Sequence, residues 1–236
     1  MLLAIVAIAL SESALQAPSG MAYNSDGLLF VSWMRSNVIT VHRGLEEVGR
    51  IEGGLNSPRG LAFGHDGHLY VADSGSHRVL VFDRSGALLR TLGGEGTEDG
   101  KFRAPYDVLV DPRGNLIVAD TYNNRLQFFD SEGRHIKSFG SLGDQPGRFR
   151  EPAGIAFANG LLYVAGGWLG RVDVYAYDAD AVSLSFQRSI SGFGVCGDVA
   201  ALQDGSIVAL DRNNGWIGRW DKDGNELKRF AGGSYG

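Results

Sequence analysis

Hydrophobic residues fall along this chain in short alternating runs, each closed by a polar turn. In residues 69–86, LYVADSGSHRVLVFDRSG, two runs of β-branched and aromatic residues each end in Asp-bearing polar text, and nearly the same words return at 116–133 as LIVADTYNNRLQFFDSEG. Short runs of this kind, bounded by Asp and Gly turns that supply positive φ, predict strands joined by tight hairpins. Within residues 56–102 the pattern resolves into four strands: GLAFG (60–64), HLYVAD (68–73), RVLVF (78–82) and ALLRTLG (87–93). Leu69 and Val71 point to one face of their strand and Tyr70 and Ala72 to the other, so such a sheet has two apolar faces to cover.

The pattern is periodic over the whole chain. Pro58, Pro105 and Pro152 recur at intervals of 47 residues, as do Asp73 and Asp120, and Phe102 and Phe149. Gly27, Gly67, Gly114, Gly160 and Gly205 each close a first hairpin. Five copies follow, at about 17–55, 56–102, 103–149, 150–194 and 195–236. Four antiparallel strands in a repeat of this length, with both faces apolar, predict an all-β fold: a β-propeller whose blades bury each other's faces by stacking. The count leaves a compact five-bladed ring and a piece of a larger ring both open. The apolar segment MLLAIVAIALSES precedes the first copy. It is too short to span a membrane as a helix, and with no basic residue ahead of it a strand is a better expectation than a signal peptide. Were residues 1–14 a signal peptide, the protein would lie outside the cytoplasm.

Copies two and three resemble the NHL-repeat family through SPRGLAF, LYVADSGSHRVLVFD, GGEGTEDGKFRAP and APYDVLVDPRGNLIVADTYNNRLQFFD. Copy four keeps EPAGIAF and LYVAGGWLGRVDVY but has Gly166 in place of the Asp, and copies one and five are looser. The resemblance implies a propeller, in that family commonly six-bladed, and a role as an interaction platform. It also extends to amidating lyases whose catalytic zinc is held by histidines from several blades, but the slot for such a histidine holds Tyr106, and His42, His65, His68, His77 and His135 do not converge on one point.

Composition narrows the field. Glycine is abundant (35 residues) and proline scarce (6), which fits many tight turns and not disorder. A formal charge of −5 argues against a nucleic-acid surface. Cys196 is the only cysteine, which rules out an intrachain disulfide and reads as a small buried side chain. The pairs Asp73–Arg78 and Asp120–Arg125, repeated in register, are expected to close loops through ion pairs.

Two candidate sites emerge. Aligning the copies at the start of each innermost strand, where a propeller lines its central channel, places Ser19, Arg59, Tyr106, Ala153 and Gly197 at one level and Gly20, Gly60, Asp107, Gly154 and Asp198 at the next. Asp107 and Asp198 are oxygen ligands of a kind suited to Ca²⁺, though two fall short of the six to eight such an ion takes. With Arg59 and Tyr106 they would serve a metal-assisted lyase or lactonase at the channel mouth. The other candidate is aromatic. The loops between second and third strands carry Trp33, Tyr122, Trp168 and Trp216, with Arg35 and Arg59 near that rim. Exposed aromatics of this type anchor binding interfaces. The favoured expectation is a non-catalytic propeller without a cofactor that binds a protein, peptide or carbohydrate through Trp33, Arg59, Tyr106, Tyr122, Trp168 and Trp216; the metal-assisted enzyme is the alternative.

Overall fold

A computed structural model describes residues 15–231. The segment 1–14, expected as a strand or a targeting signal, lies outside the described residues. Those residues form five four-stranded antiparallel sheets, each built from strands consecutive in sequence, with two one-turn 3-10 helices. The first sheet comprises β1 (Pro18–Tyr23), β2 (Leu29–Trp33), β3 (Val38–Arg43) and β4 (Glu46–Glu52). The second comprises β5 (Pro58–Phe63), β6 (Leu69–Asp73), β7 (Arg78–Phe82) and β8 (Leu88–Gly93). The third runs through β9 (Asp107–Val110), β10 (Leu116–Asp120), β11 (Arg125–Phe129) and β12 (His135–Phe139). The fourth is β13 (Ile155–Ala158), β14 (Leu161–Ala165), β15 (Arg171–Asp178) and β16 (Ser183–Ser191), and the fifth β17 (Cys196–Ala201), β18 (Ile207–Asp211), β19 (Trp216–Trp220) and β20 (Glu226–Ala231). This is the all-β blade architecture of a five-bladed propeller, and the 47-residue period corresponds to one blade. No helix among the described residues is long and apolar enough to cross a membrane.

The chain divides into two compact units, residues 1–110 and 111–236. In the first, β1 packs beside β5 and β5 beside β9; in the second, β13 packs beside β17. Second and third strands are buried on both faces, as in LYVAD and LIVAD, whereas the fourth strands alternate toward solvent. That gradient follows from position: a middle strand is covered by neighbouring sheets, and an outer strand is not.

Bulges recur where the first strand meets the second. The register shifts between Pro18 and Gly20, between Pro58 and Leu61, and between Cys196 and Asp198. A bulge re-aims the side chains around it. Here those residues include Ser19, Arg59 and Gly197.

A second device ties each of the first three blades to the next. Asn37, His77 and Asn124 close the loops between second and third strands in the left-handed conformation, at φ 54°, 55° and 55°. Their side chains accept the backbone N–H of Ser57 (2.7 Å), Ala104 (2.9 Å) and Glu151 (2.9 Å), the residues just ahead of Pro58, Pro105 and Pro152. Those three acceptor-bound residues themselves sit at positive φ, a strained state held by the bond. The repeated prolines thus mark the point at which the chain leaves this latch and begins the next blade.

Candidate functional site

In the first unit the candidate residues separate. Trp33 closes β2 and is 1% exposed, its indole N–H donating to Thr40 Oγ1 at 2.8 Å, with His42 Nε2 2.7 Å from the same hydroxyl oxygen. The expectation of an exposed anchor at Trp33 is corrected: the ring fills the first blade and its polar atom is satisfied internally. Burial drives the His42 pKa below its ordinary value, against the pull of Glu47 toward the charged form.

Arg59, Tyr106 and Asp107 do come together. The Arg59 guanidinium lies over the Tyr106 ring, 3.8 Å from its centre. The Gly60 N–H donates to the Tyr106 carbonyl at 2.9 Å, and the Ser32 hydroxyl donates to the Arg59 carbonyl at 2.6 Å. Asp107 Oδ1 accepts the N–H of Val108 at 2.9 Å. Its carboxylate occupies the space that a side chain at position 60 would need, since a Cβ there would lie 2.7 Å from the Asp107 Cα.

The second unit repeats that arrangement. Asp198 Oδ1 accepts the N–H of Val199 at 2.8 Å, and a Cβ at Gly154 would lie 2.8 Å from the Asp198 Cα. The Asp198 side chain meets solvent, yet the protein around it strips enough water from the carboxylate to push its pKa up to about 6, against the Val199 amide. Asp107 and Asp198 belong to different units, and among the described residues no group of three or more His, Cys, Asp or Glu side chains is placed to hold a metal ion. Cys196 is buried, and burial raises its thiol pKa, so the residue behaves as a small core side chain.

Trp216 is also core: it is 7% exposed, stacked on Phe193 (5.5 Å between centres) and covered by the Arg229 guanidinium at 3.9 Å. The expectation that it anchors a partner is corrected by this packing. Tyr122 and Trp168, in contrast, are 45% and 63% exposed. The Trp168 indole N–H donates to Glu151 Oε2 at 2.9 Å, and its backbone N–H to the Arg150 carbonyl at 3.2 Å. The loop of Tyr122 is tied to the same segment on both sides, because the Thr121 hydroxyl donates to the Pro152 carbonyl at 2.8 Å and Asn124 accepts the Glu151 N–H. Leu142, 60% exposed, flanks that segment through the bridge of Leu142 to Phe149.

Charges near this surface are mostly paired. Arg150 Nε binds Asp144 at 2.5 Å, and Arg171 binds Asp173 at 2.8 Å. Sequence reasoning did not find Glu151 or Leu142. The signal for Glu151 is a departure between copies: the position before the repeated proline is Ser57, Ala104 and Glu151 in turn.

The loop-closing ion pairs are present as expected. Arg78 Nε reaches Asp73 at 2.7 Å and Arg125 Nε reaches Asp120 at 2.7 Å, each carboxylate fully buried. Asp73 also accepts the Asn56 N–H, and Asp120 accepts from Asn123 and Gln127. Where the fourth blade has Gly166 instead, Asp173 on β15 takes the arginine, and in the fifth Asp211 accepts the N–H groups of Gly194 and Asn214.

The NHL repeat family matches the chain at residues 55–82 and 102–129. No curated protein matches it. Among solved structures, virginiamycin B lyase from Staphylococcus aureus is similar with a TM-score of 0.70 at 13% identity, over 92% of this chain and 70% of that one. The Nidogen/Laminin complex gives 0.75 at 20% identity over 92% and 80%. A gluconolactonase from Xanthomonas campestris gives 0.75 at 15% over 93% and 77%. At such identities the likeness is one of fold, and this fold hosts binding proteins and enzymes alike. The chain is a β-propeller that carries NHL repeats.

Proposed function

We propose that this propeller is a non-catalytic binding platform whose contact surface is the loop face of the second unit around Trp168, with Tyr122 and Leu142 beside it. The observation that carries this reading is the state of Trp168: an exposed indole whose one polar atom is held by Glu151. A fixed aromatic of this kind loses little side-chain freedom on binding and offers a large contact area, the combination found at interface hot spots. The paired charges around it favour a partner that docks apolar and aromatic groups there, a protein or peptide segment ahead of a polyanion. The Nidogen/Laminin relative supports the reading only as a precedent for the fold.

The test is direct because the tryptophans differ in access. Trp33, Trp216 and Trp220 are buried, so iodide quenching of intrinsic fluorescence reads Trp168. Trp168→Phe should abolish most of the quenchable fraction. On peptide and glycan arrays, Trp168→Ala should weaken captured ligands by roughly tenfold or more, about 1.4 kcal/mol. Undiminished array binding by that variant would remove the basis of this reading.

A metal-assisted lyase or lactonase is the second reading, and the raised pKa of Asp198 favours it, since carboxyl groups shifted toward neutrality are frequent at catalytic sites. Asp198 is the carboxylate of the second unit that this reading would use, with Ca²⁺ as the ion. One carboxylate that accepts a backbone N–H does not make a full oxygen cage by itself. Hydrolysis of sugar lactones with a pH dependence centred near 6, lost in Asp198→Asn, would favour this reading over the platform.

A further inference from the structure

The first unit contains a cleft that neither reading uses. It lies between the first two blades, at the end bearing the β1–β2 and β7–β8 turns, and has a volume of about 450 Å³. That is within the range of small-molecule sites, roughly 300–1,000 Å³. Phe30 of β2 and Phe63 of β5 meet edge to face at 4.9 Å and line it with Val41 of β3 and Ile51 of β4. All four retain some exposure there, although Phe30, Ile51 and Phe63 pack against the core of the second blade.

The rim is charged and unbalanced. Asp26, Glu52 and Asp83 line it together with Arg50 and Arg84. Arg50 is consumed by acidic neighbours: Nε and Nη2 bind Glu47 at 2.6 and 2.8 Å, and Nη1 binds Glu52 at 3.1 Å. Arg84 Nε donates to the Asp66 carbonyl at 3.3 Å. The Ser85 hydroxyl and the Ala87 amide bind Asp83 and hold its carboxyl below the usual carboxylate range, so it carries its charge at neutral pH. Three carboxylates line the cleft against two guanidinium groups, and Glu47, outside the lining, takes up one edge of Arg50, so the lining carries an excess of negative charge.

We propose that this cleft binds a small amphipathic organic cation, with an aromatic or branched aliphatic body against Phe30, Phe63, Val41 and Ile51 and an ammonium group among Asp26, Glu52 and Asp83. An apolar body removes the exposed surface of those side chains from water. The ammonium meets an excess of negative charge beside two phenyl rings, where a cation is attracted electrostatically. A carboxylate on the same body would meet that charge excess as repulsion, so the cleft selects by sign as well as by shape.

The experiment is isothermal titration of the full chain with 2-phenylethylamine and with 3-phenylpropanoate, a carboxylate of similar shape. The amine should bind saturably and at least roughly tenfold more tightly than the acid, and Asp26→Asn should narrow that preference. Val48 lines the cleft mouth and is exposed, so Val48→Trp should block binding without disturbing the core, with an unchanged melting midpoint as the control. Trp168→Ala should leave the titration as it is, which separates this site from the aromatic surface. Equal affinity for amine and acid, binding that survives Val48→Trp, or no saturable heat with the amine at millimolar concentration would overturn the proposal.

Discussion

Single side chains show how one residue type is used in opposite ways. Trp33 ends β2 and Trp168 lies in the loop after β14, but Trp33 has Thr40 across its own sheet as a partner, whereas Trp168 finds Glu151 on a neighbouring linker and stays outside. The Trp33–Thr40–His42 chain carries a pH prediction. Burial lowers the His42 pKa below its unfolded value of 6.5, so the folded state binds that proton less readily than the unfolded chain. The resulting stability is complete above about 6.5 and is lost as pH falls from there toward the lowered folded value. Denaturation midpoints should therefore drop on the acid side, and His42→Gln should flatten that part of the profile. Asp198 has the opposite sign. Its carboxyl is raised from 3.8 to about 6, so the stability that comes from its protonated form is lost as pH rises through 6. Asp198→Asn should raise the melting midpoint at pH 7 relative to wild type; a lower midpoint would show that the carboxylate has a stabilising partner at neutral pH.

At the scale of the element, the repeat works through a few fixed contacts. Removing Arg125 takes its guanidinium away from the fully buried Asp120 carboxylate, and Arg125→Ala should cost about 3 kcal/mol in chemical denaturation, much more than an exposed pair would. The blade-to-blade latch predicts a contrast. Asn124→Ala loses the bond to the Glu151 N–H and leaves a β-carbon in a left-handed turn with no polar compensation, at a cost of about 1–2 kcal/mol. His77→Asn should be nearly neutral, since Asn37 and Asn124 make the same bond from the same conformation. Gly60→Ala should destabilise by about 1–3 kcal/mol, because its new methyl group must displace Asp107; Asp107→Gly in the same chain should restore only part of that loss, since the Cα of residue 107 still lies 2.7 Å from the new methyl group.

These contacts were legible to different degrees. The Asp–Arg pairs were readable because the two partners flank one loop, five residues apart, and recur in register. The fit of Asp107 to Gly60 and of Asp198 to Gly154 was only half visible. Aligning the copies showed carboxylates replacing glycines at one level, but the reason each neighbour must remain glycine appears only when two innermost strands are laid side by side.

For the molecule as a whole, the fold narrows function without choosing it. A net charge of −5 argues against a nucleic-acid partner, and the solved structures of similar fold include a lyase, a gluconolactonase and a nidogen–laminin complex, so a binding protein and an enzyme both remain compatible with the fold. Metal content separates the two at this scale. After dialysis against metal-free buffer, elemental mass spectrometry of the platform should find no stoichiometric ion. About one Ca²⁺ per chain, lost from the Asp198→Asn variant, would shift the assignment to catalysis.

The amino-acid sequence by itself determined the blades. Strand length, hairpin turns and the 47-residue period are local properties, written in alternation and in Asp–Gly chemistry, and copies two and three repeat them almost word for word. Which aromatic faces solvent was decided by the tertiary structure alone. Burial of Trp216 depends on Phe193, Trp220 and Arg229, and exposure of Trp168 depends on Glu151 holding its indole at the surface. The cleft between the first two blades belongs to the same class. Its walls come from β2, β3, β4 and β5, and no single run of sequence records the gap left between side chains that two sheets bring together.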